Sequence, residues 1–231
     1  MTTPRSTFLH GIRDELPILI GVVPFGLIYG VSALSAGIPA GIAQAMSCIV
    51  FAGSAQFVIA QLVGAGTPAL VIILTAFIVN ARHVLYSASV APFTRKLSAL
   101  WKCLLAYLLT DEAYAVAISR YQKVGEDAHT HWYFLGAGLA LWTTWQLSTA
   151  VGIFLGGQIP ASWSLDFTAP LTFIALVVPS LKDRASSAAA LAATLTALLA
   201  IALPLKLGIA IAALVGIAAG LAFESRKAKH V

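Results

Sequence analysis

The 66 residues from 16 to 81 contain no Asp, Glu, Lys or Arg. An α-helix needs about 20 apolar residues to cross a membrane, so this run is long enough for three crossings with short turns between them. Charged residues form 10% of the whole chain, whereas soluble domains carry about 25%. So few charges do not cover the surface of a soluble body of this size. We therefore predict a multi-span membrane protein, and the composition excludes a soluble enzyme, a nucleic-acid-binding domain and a disordered protein.

Turn signals divide the chain into eight apolar segments. Each segment should be an α-helix, because hydrocarbon offers no hydrogen-bond partner to open backbone groups. The predicted fold is an all-α integral membrane protein with about eight transmembrane helices. The predicted spans are residues 16–36, 41–63, 67–91, 98–120, 132–157, 167–181, 185–203 and 207–223. A count of seven stays open, since 41–63 or 167–181 would also suit a re-entrant segment.

The distribution of Lys and Arg predicts the orientation. With eight spans, one side of the membrane carries nine of these cations and the other side four, while Arg82 falls inside a span. The side richer in Lys and Arg is normally cytoplasmic, so we expect both termini there. The chain then forms one polytopic domain with a cytoplasmic segment 1–15, a transmembrane bundle 16–223 and a basic cytoplasmic tail 224–231.

Two prolines indicate an internal symmetry. Pro24 lies inside the first span and Pro170 inside the sixth, and each opens a three-span unit, 16–91 and 167–223. Five crossings separate the two starts, so the units would be inverted repeats. Many secondary transporters build a midplane site from interrupted helices in such repeats. The alternative interpretation is two ordinary membrane prolines.

The third span carries the most informative polar residues. Asn80, His83 and Ser87 are spaced i, i+3, i+7 and share one helix face, and Arg82 points elsewhere. An Arg near the membrane centre costs at least ~2.5–3.5 kcal/mol on insertion scales, so it needs a carboxylate, backbone carbonyls or a wet cavity. Arg82 fits either a structural ion pair or a site for a substrate carboxylate or a coupling ion.

The fourth span supplies two adjacent carboxylates, Asp111 and Glu112. If the turn before this span centres near Arg95, Arg82 and Asp111 differ in depth by only about 5 Å at 1.5 Å per residue, a distance that an Arg side chain spans. We therefore predict an ion pair between Arg82 and one of the two carboxylates. Adjacent buried carboxylates raise each other's affinity for a proton, so one of them is a candidate proton carrier. The alternative is a wet vestibule in which both only orient helices.

The second span contains Gly53, Ser54 and Gln56 in a stretch of small residues. Such a stretch permits local unwinding, and unwound backbone at mid-depth presents amides and carbonyls to a zwitterion. The alternative is a seam of small residues between packed helices. We predict that Asn80, His83 and Tyr86 approach the same cavity from the opposite side.

The sequence predicts no metal site and no cofactor. Cys48 and Cys103 both lie in apolar stretches, which is not typical of a disulfide framework or a zinc site. His129 and His131 stand beside Asp127, but a short loop without further ligands indicates a solvated segment. No Gly-rich phosphate loop of the ATPase type occurs in the chain.

Five motifs, in this order along the chain, resemble the AzlC family, the large subunits of bacterial branched-chain amino acid permeases. They are Pro24-Phe-Gly26, Phe51-Ala-Gly53-Ser54-Ala-Gln56-Phe57, Asn80-Ala-Arg82-His83-Val-Leu-Tyr86-Ser87, Ala91-Pro92 and Leu109-Thr110-Asp111-Glu112. The clear resemblance covers roughly residues 16–120. It adds Pro24 and Gly26 to the predicted substrate site.

The resemblance implies a secondary transporter that exports valine, leucine, isoleucine and methionine. It also implies coupling to the proton gradient, the bacterial cytoplasmic (inner) membrane, and a separate small membrane subunit of the AzlD type. The expected partners are thus this subunit, an amino acid substrate and membrane lipid, with no nucleic acid.

Two other classes of function stay open at this point. One is a membrane subunit that serves assembly without transport, or a channel. The other is an intramembrane hydrolase, with Ser54 as nucleophile and His83 as base.

Overall fold

A computed structural model describes residues 3–124, 129–158, 181, 183–200 and 207–228. All the regular elements in these ranges are α-helices. The chain divides into two compact units, Met1–Thr172 and Phe173–Val231, and each is described by itself.

The first unit contains eight of the described helices and the second unit two. The helices of the first unit are α1 (Pro4–Ser35), α2 (Ala40–Val50), α3 (Gly53–Gly64), α4 (Ala69–Asn80), α5 (Arg82–Thr94), α6 (Ala99–Tyr107), α7 (Asp111–Val124) and α8 (Thr130–Gly156). Those of the second unit are α9 (Arg184–Leu199) and α10 (Leu207–Ala228).

The first helix is longer than predicted. It begins at Pro4 instead of 16, because Thr3 and Ser6 form a reciprocal capping box and Pro4 occupies the first helical position. The interruption expected at Pro24 is also absent, since α1 continues through Pro17 and Pro24 to Ser35. Packing of the following turns against α8 holds the helix together where a proline removes one hydrogen bond.

Glycines bring α1 and α8 into backbone contact. A Cβ at Gly11 would meet the Tyr133 carbonyl, and one at Gly30 would meet the Ile153 amide nitrogen. The contacting residue numbers rise together, so α1 and α8 run parallel. This direction is the one expected if α1 and α8 are the first and fifth crossings of an alternating chain. Close approach through small residues is the usual packing device of membrane helices.

Three predicted spans are each two helices. Residues 41–63 form α2 and α3, residues 67–91 form α4 and α5, and residues 98–120 form α6 and α7. The breaks fall at Phe51–Ala52, at Ala81 and at Leu108–Thr110. An unbroken apolar pattern does not reveal them. Side chains of other helices satisfy the open carbonyls at the first break, and local hydrogen bonds close the other two.

Three further spans agree with the helices observed. Residues 132–157 correspond to α8, 185–203 to α9 and 207–223 to α10. The sixth predicted span, 167–181, lies outside the described residues except for Leu181, and so does Pro170. The inverted repeat therefore stays a prediction.

Within the described residues, two stretches are long and apolar enough to cross a membrane by themselves. They are Pro4–Ser35 and Ala69–Thr94, the second of which joins α4 and α5 through the turn at Ala81. The count of eight crossings and the single bundle over 16–223 stay predictions.

The second unit is an antiparallel pair of helices rich in small residues. Gly216 of α10 lies against Ala193 of α9, and Gly220 lies against Ala189. The Ala- and Gly-rich region therefore packs against itself in this hairpin.

We predict that Gly30→Ala lowers the free energy of unfolding by about 1–3 kcal/mol, because the added methyl group would overlap the α8 backbone. Gly21→Ala is the matched control in the same helix, since no atom lies within 4 Å of its added methyl group. The control should be neutral or stabilising by about 0.5–1 kcal/mol, the helix preference of Ala over Gly. Thermal unfolding in detergent measures both, and equal stability of the two variants would contradict the close α1–α8 contact.

Candidate functional site

The break between α2 and α3 is a strained turn. Phe51 has φ 37° and ψ 48°, in the left-handed region, and Ala52 is extended. Phe51 is the one non-glycine residue with positive φ in the described ranges. Such a conformation costs of order 1–3 kcal/mol and persists only where the surroundings impose it. Here the Phe51 side chain is 5% exposed and its ring lies 5.9 Å from that of Tyr107. The unwinding predicted around Gly53 is therefore present, immediately before that residue.

The open carbonyls at the end of α2 are satisfied by side chains of α6 and α8. The Tyr107 hydroxyl donates to the Cys48 carbonyl, and Gln146 Nε2 donates to the Ser47 carbonyl at 3.1 Å. Trp142 Nε1 in turn donates to the Tyr107 hydroxyl at 2.7 Å. These contacts replace the intrahelical hydrogen bonds that the break removes.

The break between α6 and α7 is capped by Thr110. Its Oγ1 accepts a hydrogen bond from the Ala113 amide at 3.3 Å, which satisfies one open donor at the start of α7. Asp111 and Glu112 occupy the first turn of α7. Carboxylates are stabilised there by the positive end of the helix dipole.

The break between α4 and α5 is a tightened turn instead of an unwound one. The Ala81 amide donates to the Ile78 carbonyl and the Val84 amide to the Ala81 carbonyl, both three residues back. This pattern is a short 3₁₀-type turn immediately before Arg82. The Asn80 carbonyl accepts a hydrogen bond from His83 Nδ1 at 3.0 Å.

Arg82 joins the first turns of three helices. Its Nη1 lies 2.5 Å from Asp111 Oδ2 on α7, and its Nη2 donates to Ser54 Oγ on α3. The predicted ion pair of Arg82 with one of the two carboxylates is therefore present, and Asp111 is the partner. Its role in transport stays a prediction.

Both members of the ion pair retain unused hydrogen-bonding capacity. Arg82 Nε and Asp111 Oδ1 are buried, and neither has a hydrogen-bond partner within the described part of the chain. One further acceptor at Arg82 and one further donor at Asp111 would complete the site.

Aromatic rings border the ion pair on α5 and α7. The Tyr86 ring stacks on Tyr114 with centroids 4.6 Å apart, and its phenol interacts electrostatically with Asp111 and Arg82. The His83 ring meets Tyr86 edge-on at 5.8 Å. Arg82, Asp111, Ser54, Tyr86 and His83 therefore form one cluster, which we call the Arg82 cluster.

Other predicted site residues lie in different surroundings. Pro24 is exposed on α1, and a Cβ at Gly26 would overlap Ser148 on α8. Gln56 accepts from Trp145 Nε1 at 3.1 Å, and the Trp145 ring covers Gly53. Gly26 thus serves helix packing, and Gln56 joins α3 to α8.

Sequence analysis missed two polar residues that the fold buries. Gln146 Oε1 accepts from Gln44 Nε2 at 2.8 Å and from Cys48 Sγ at 3.1 Å, so this side chain joins α2 to α8. Glu15 is fully buried on α1. The available signals were an amide in the middle of an apolar span and a carboxylate at the edge of the charge-free run.

Comparison with known proteins gives the family. A family model described as AzlC protein matches residues 17–159, well over half of the chain. The chain belongs to the AzlC family. The inner membrane protein YgaZ of Escherichia coli K12 is 30% identical over 191 residues, covering 78% of this chain and 76% of YgaZ. The branched-chain amino acid transport protein AzlC of Bacillus subtilis 168 is 28% identical over 175 residues, covering 75% of this chain and 67% of that protein.

An uncharacterized membrane protein of Archaeoglobus fulgidus is 27% identical over 183 residues, with 78% of each chain covered. No solved structure matches the chain. These names agree with the sequence in making this AzlC-family chain a membrane protein. The match confirms the resemblance and extends it beyond 120 to include α8, which packs along α1 and supplies Gln146.

The hydrogen bonds of this AzlC-family chain bear on the hydrolase alternative. Ser54 Oγ accepts from Arg82, while His83 Nδ1 meets the Asn80 carbonyl. A pairing of Ser54 with His83 is not among the hydrogen bonds of the described residues. Ser54, the nucleophile of the hydrolase alternative, is therefore hydrogen-bonded to Arg82 and not to His83 among the described contacts.

We predict that Arg82→Gln and Asp111→Asn are each destabilising, because each single change leaves an opposite charge unpaired in a mostly apolar bundle. The double variant should lose less stability than the sum of the two, by about 0.5–3 kcal/mol, as residues in direct contact do. Lys102→Gln, at an exposed cation of α6, is the control. Unfolding measurements on the four proteins form the cycle, and strict additivity would show that the pair contributes no coupling energy.

Proposed function

We propose that this AzlC-family chain is the large subunit of a secondary transporter that exports branched-chain amino acids across the bacterial cytoplasmic membrane. The observation that carries the proposal is Arg82, which bridges Ser54 and Asp111 where three helices begin at breaks. The printed name of the Bacillus subtilis relative, a branched-chain amino acid transport protein, supports this substrate class.

The charges of the Arg82 cluster match the two charges of an amino acid. A substrate carboxylate would bind the Arg82 guanidinium, and a substrate ammonium would bind the Asp111 carboxylate. The two unused atoms, Arg82 Nε and Asp111 Oδ1, provide one donor and one acceptor for this exchange. Without substrate, Arg82 and Asp111 neutralise each other, which limits the free-energy cost of keeping each charge in an apolar bundle.

The surroundings of the cluster suit an aliphatic side chain. The rings of Phe51 and Tyr107 lie together at the α2–α3 break, and those of Tyr86 and Tyr114 stack beside the ion pair. Small-molecule sites commonly combine a few polar groups with such apolar and aromatic walls. Valine, leucine, isoleucine and methionine are the substrates we expect.

The broken helices support alternating access. Breaks at mid-span are tolerated where the open backbone faces protein or a cavity, and they allow half-helices to change angle about a binding site. Export would draw on the proton gradient, with Asp111 or Glu112 as the protonated group. Both termini would face the cytoplasm, as the distribution of Lys and Arg predicts.

The test is flux of labelled leucine in liposomes that contain the purified protein, measured in both directions with and without a proton gradient. We expect saturable, gradient-dependent flux that Arg82→Lys and Asp111→Asn abolish, because neither variant keeps the two-pronged pairing. Thr194→Ala is the control, since among the described residues this hydroxyl bonds only within α9, to the Ala190 carbonyl.

Each other outcome favours a different function. Flux that does not saturate and ignores the gradient would indicate a channel. No flux in either direction, from protein that is folded and supplied with its small partner, would indicate an assembly subunit.

We propose further that the transporter includes a small AzlD-type membrane subunit, which contacts α4. The Ala- and Gly-rich region of 185–222 supports this less than expected, because its small residues pack within the α9–α10 hairpin. The apolar helix α4, in contrast, buries none of its residues within the chain. Its side chains include Phe77, 76% exposed, and Ile73, 65% exposed.

A photocrosslinking residue at Phe77 or Ile73 should capture the small subunit when the two proteins are expressed together. The same residue at Ile20 of α1, which is 78% exposed, is the control and should capture lipid alone. Lipid adducts at all three positions would show that α4 faces the membrane. Equal abundance and flux without the small subunit would contradict an obligate complex.

A further inference from the structure

Glu15 is a buried carboxylate that the Arg82 cluster does not use. It is the one Asp, Glu, Lys or Arg of the described residues whose side chain is fully buried, with 0% exposed. Within the described ranges, neither of its carboxylate oxygens has a hydrogen-bond partner. An ionised carboxylate in this position would lose its hydration and gain nothing in return.

Glu15 lies inside the bundle instead of at its end. Gly11, one turn earlier on α1, contacts Tyr133 and Ala137 of the parallel helix α8. Glu15 is then level with residues 137–141, which lie ~10–16 Å from the start of α8 at about 1.5 Å per residue. Neighbouring helices therefore enclose Glu15, and it is not a surface carboxylate.

The charged group that acts electrostatically on Glu15 across a helix interface has the same sign. Glu112, in the first turn of α7, interacts repulsively with it. Glu112 is also repelled by Asp111, its neighbour in the Arg82 ion pair. The charges of Arg82, Asp111, Glu112 and Glu15 therefore interact in series, from the helix breaks to α1.

Of the other titratable groups on the helices packed against α1, Tyr133 also interacts electrostatically with Glu15, and the remaining groups contact other residues or are exposed. Helices α8, α3, α7 and α2 contact α1, and α3 has no titratable side chain. The Tyr133 hydroxyl donates to Asp14, and Arg120 lies over the Tyr133 ring. Tyr114 donates to Ser89, Tyr121 to the Thr130 carbonyl and Cys48 to Gln146. The His131 ring packs against Trp101, and Lys123 is exposed.

We propose that Glu15 is protonated in this structure and forms, with Glu112, the proton-binding site that couples transport to the proton gradient. Helices α1 and α7 contact each other, and ionisation of both carboxylates in an apolar bundle is opposed because each charge raises the energy of the other. A buried carboxyl group without a hydrogen-bond partner also keeps its proton, because the ionised form would lose its hydration. Such a pair takes up and releases protons as a unit. The inference rests on the proposed transport function and places the proton outside the Arg82–Asp111 ion pair.

Infrared spectroscopy tests the proton directly and does not depend on transport. The difference between the wild-type protein and Glu15→Gln at neutral pH should contain the carbonyl band of a protonated carboxyl group. The same difference for Asp14→Asn, the exposed neighbouring carboxylate, should lack that band. Carboxylate bands in place of the protonated band in the Glu15→Gln difference would overturn the proposal.

Flux measurements test the coupling. Glu15→Gln mimics the protonated side chain, so exchange of labelled leucine without a gradient should continue, while acceleration by a proton gradient should be lost. Asp14→Asn should keep both. Wild-type acceleration in Glu15→Gln would overturn the coupling role while leaving the transporter intact.

Two further outcomes separate this inference from the proposed function. No leucine flux in the wild-type protein would overturn the transport function and the coupling role together, and the infrared band alone would then decide whether Glu15 holds a proton. If Glu15→Gln does not fold, Glu15→Asp replaces it. That variant should keep a protonated band at a shifted position, and its absence would overturn the proposal.

Discussion

A charged guanidinium within an apolar bundle is the constraint on which the arrangement of the first unit depends. Arg82 follows 66 residues without a charge, and an isolated cation in such surroundings is costly. Its ion pair with Asp111 and its hydrogen bond to Ser54 meet that requirement with groups from two other helices. Three helices must therefore start at one level, and each start coincides with a break in what the sequence presents as a single span.

The breaks in turn need partners for their open backbone groups. Tyr107 and Gln146 satisfy carbonyls at the end of α2, and Thr110 satisfies an amide at the start of α7. Tyr107 and Gln146 come from helices that are distant in sequence, so the α2–α3 break and the tertiary packing stabilise each other, whereas Thr110 acts locally within its own span. A buried carbonyl left without its side-chain donor would cost about 1–3 kcal/mol. Several polar side chains of this chain therefore satisfy backbone hydrogen-bonding groups, in addition to those that form the candidate site.

The α1–α8 pair provides the frame that holds this arrangement. Glycines on both helices allow backbone contact along most of their length, and α8 supplies Trp145 and Gln146 to α3 and α2. The same close packing buries Glu15 where water does not reach it. The frame that stabilises the broken helices therefore also creates the environment in which a carboxyl group keeps its proton.

Sequence alone determined the class of the molecule and part of the site. The charge-free run and the scarcity of charges require apolar helices. The cost of Arg82 requires a carboxylate, backbone carbonyls or a wet cavity, and the depth argument favoured Asp111 or Glu112. Local rules also predicted unwinding near Gly53. These features follow from composition and residue spacing, which can be read from the sequence without knowledge of the fold.

Tertiary structure alone decided which carboxylate pairs with Arg82, where the other two spans break and which predicted residues lie outside the site. Pro24 lies in an unbroken helix and is exposed, although a proline is the usual sequence signal for an interruption. The actual breaks at Ala81 and Leu108–Thr110 contain neither proline nor glycine; backbone hydrogen bonds close the first and Thr110 caps the second. In the sequence, Glu15 ends a predicted surface segment; in the fold, α7 and α8 pack against its helix and Glu15 is buried. Burial and hydrogen-bond satisfaction are properties of neighbours in space, and a linear sequence does not contain them.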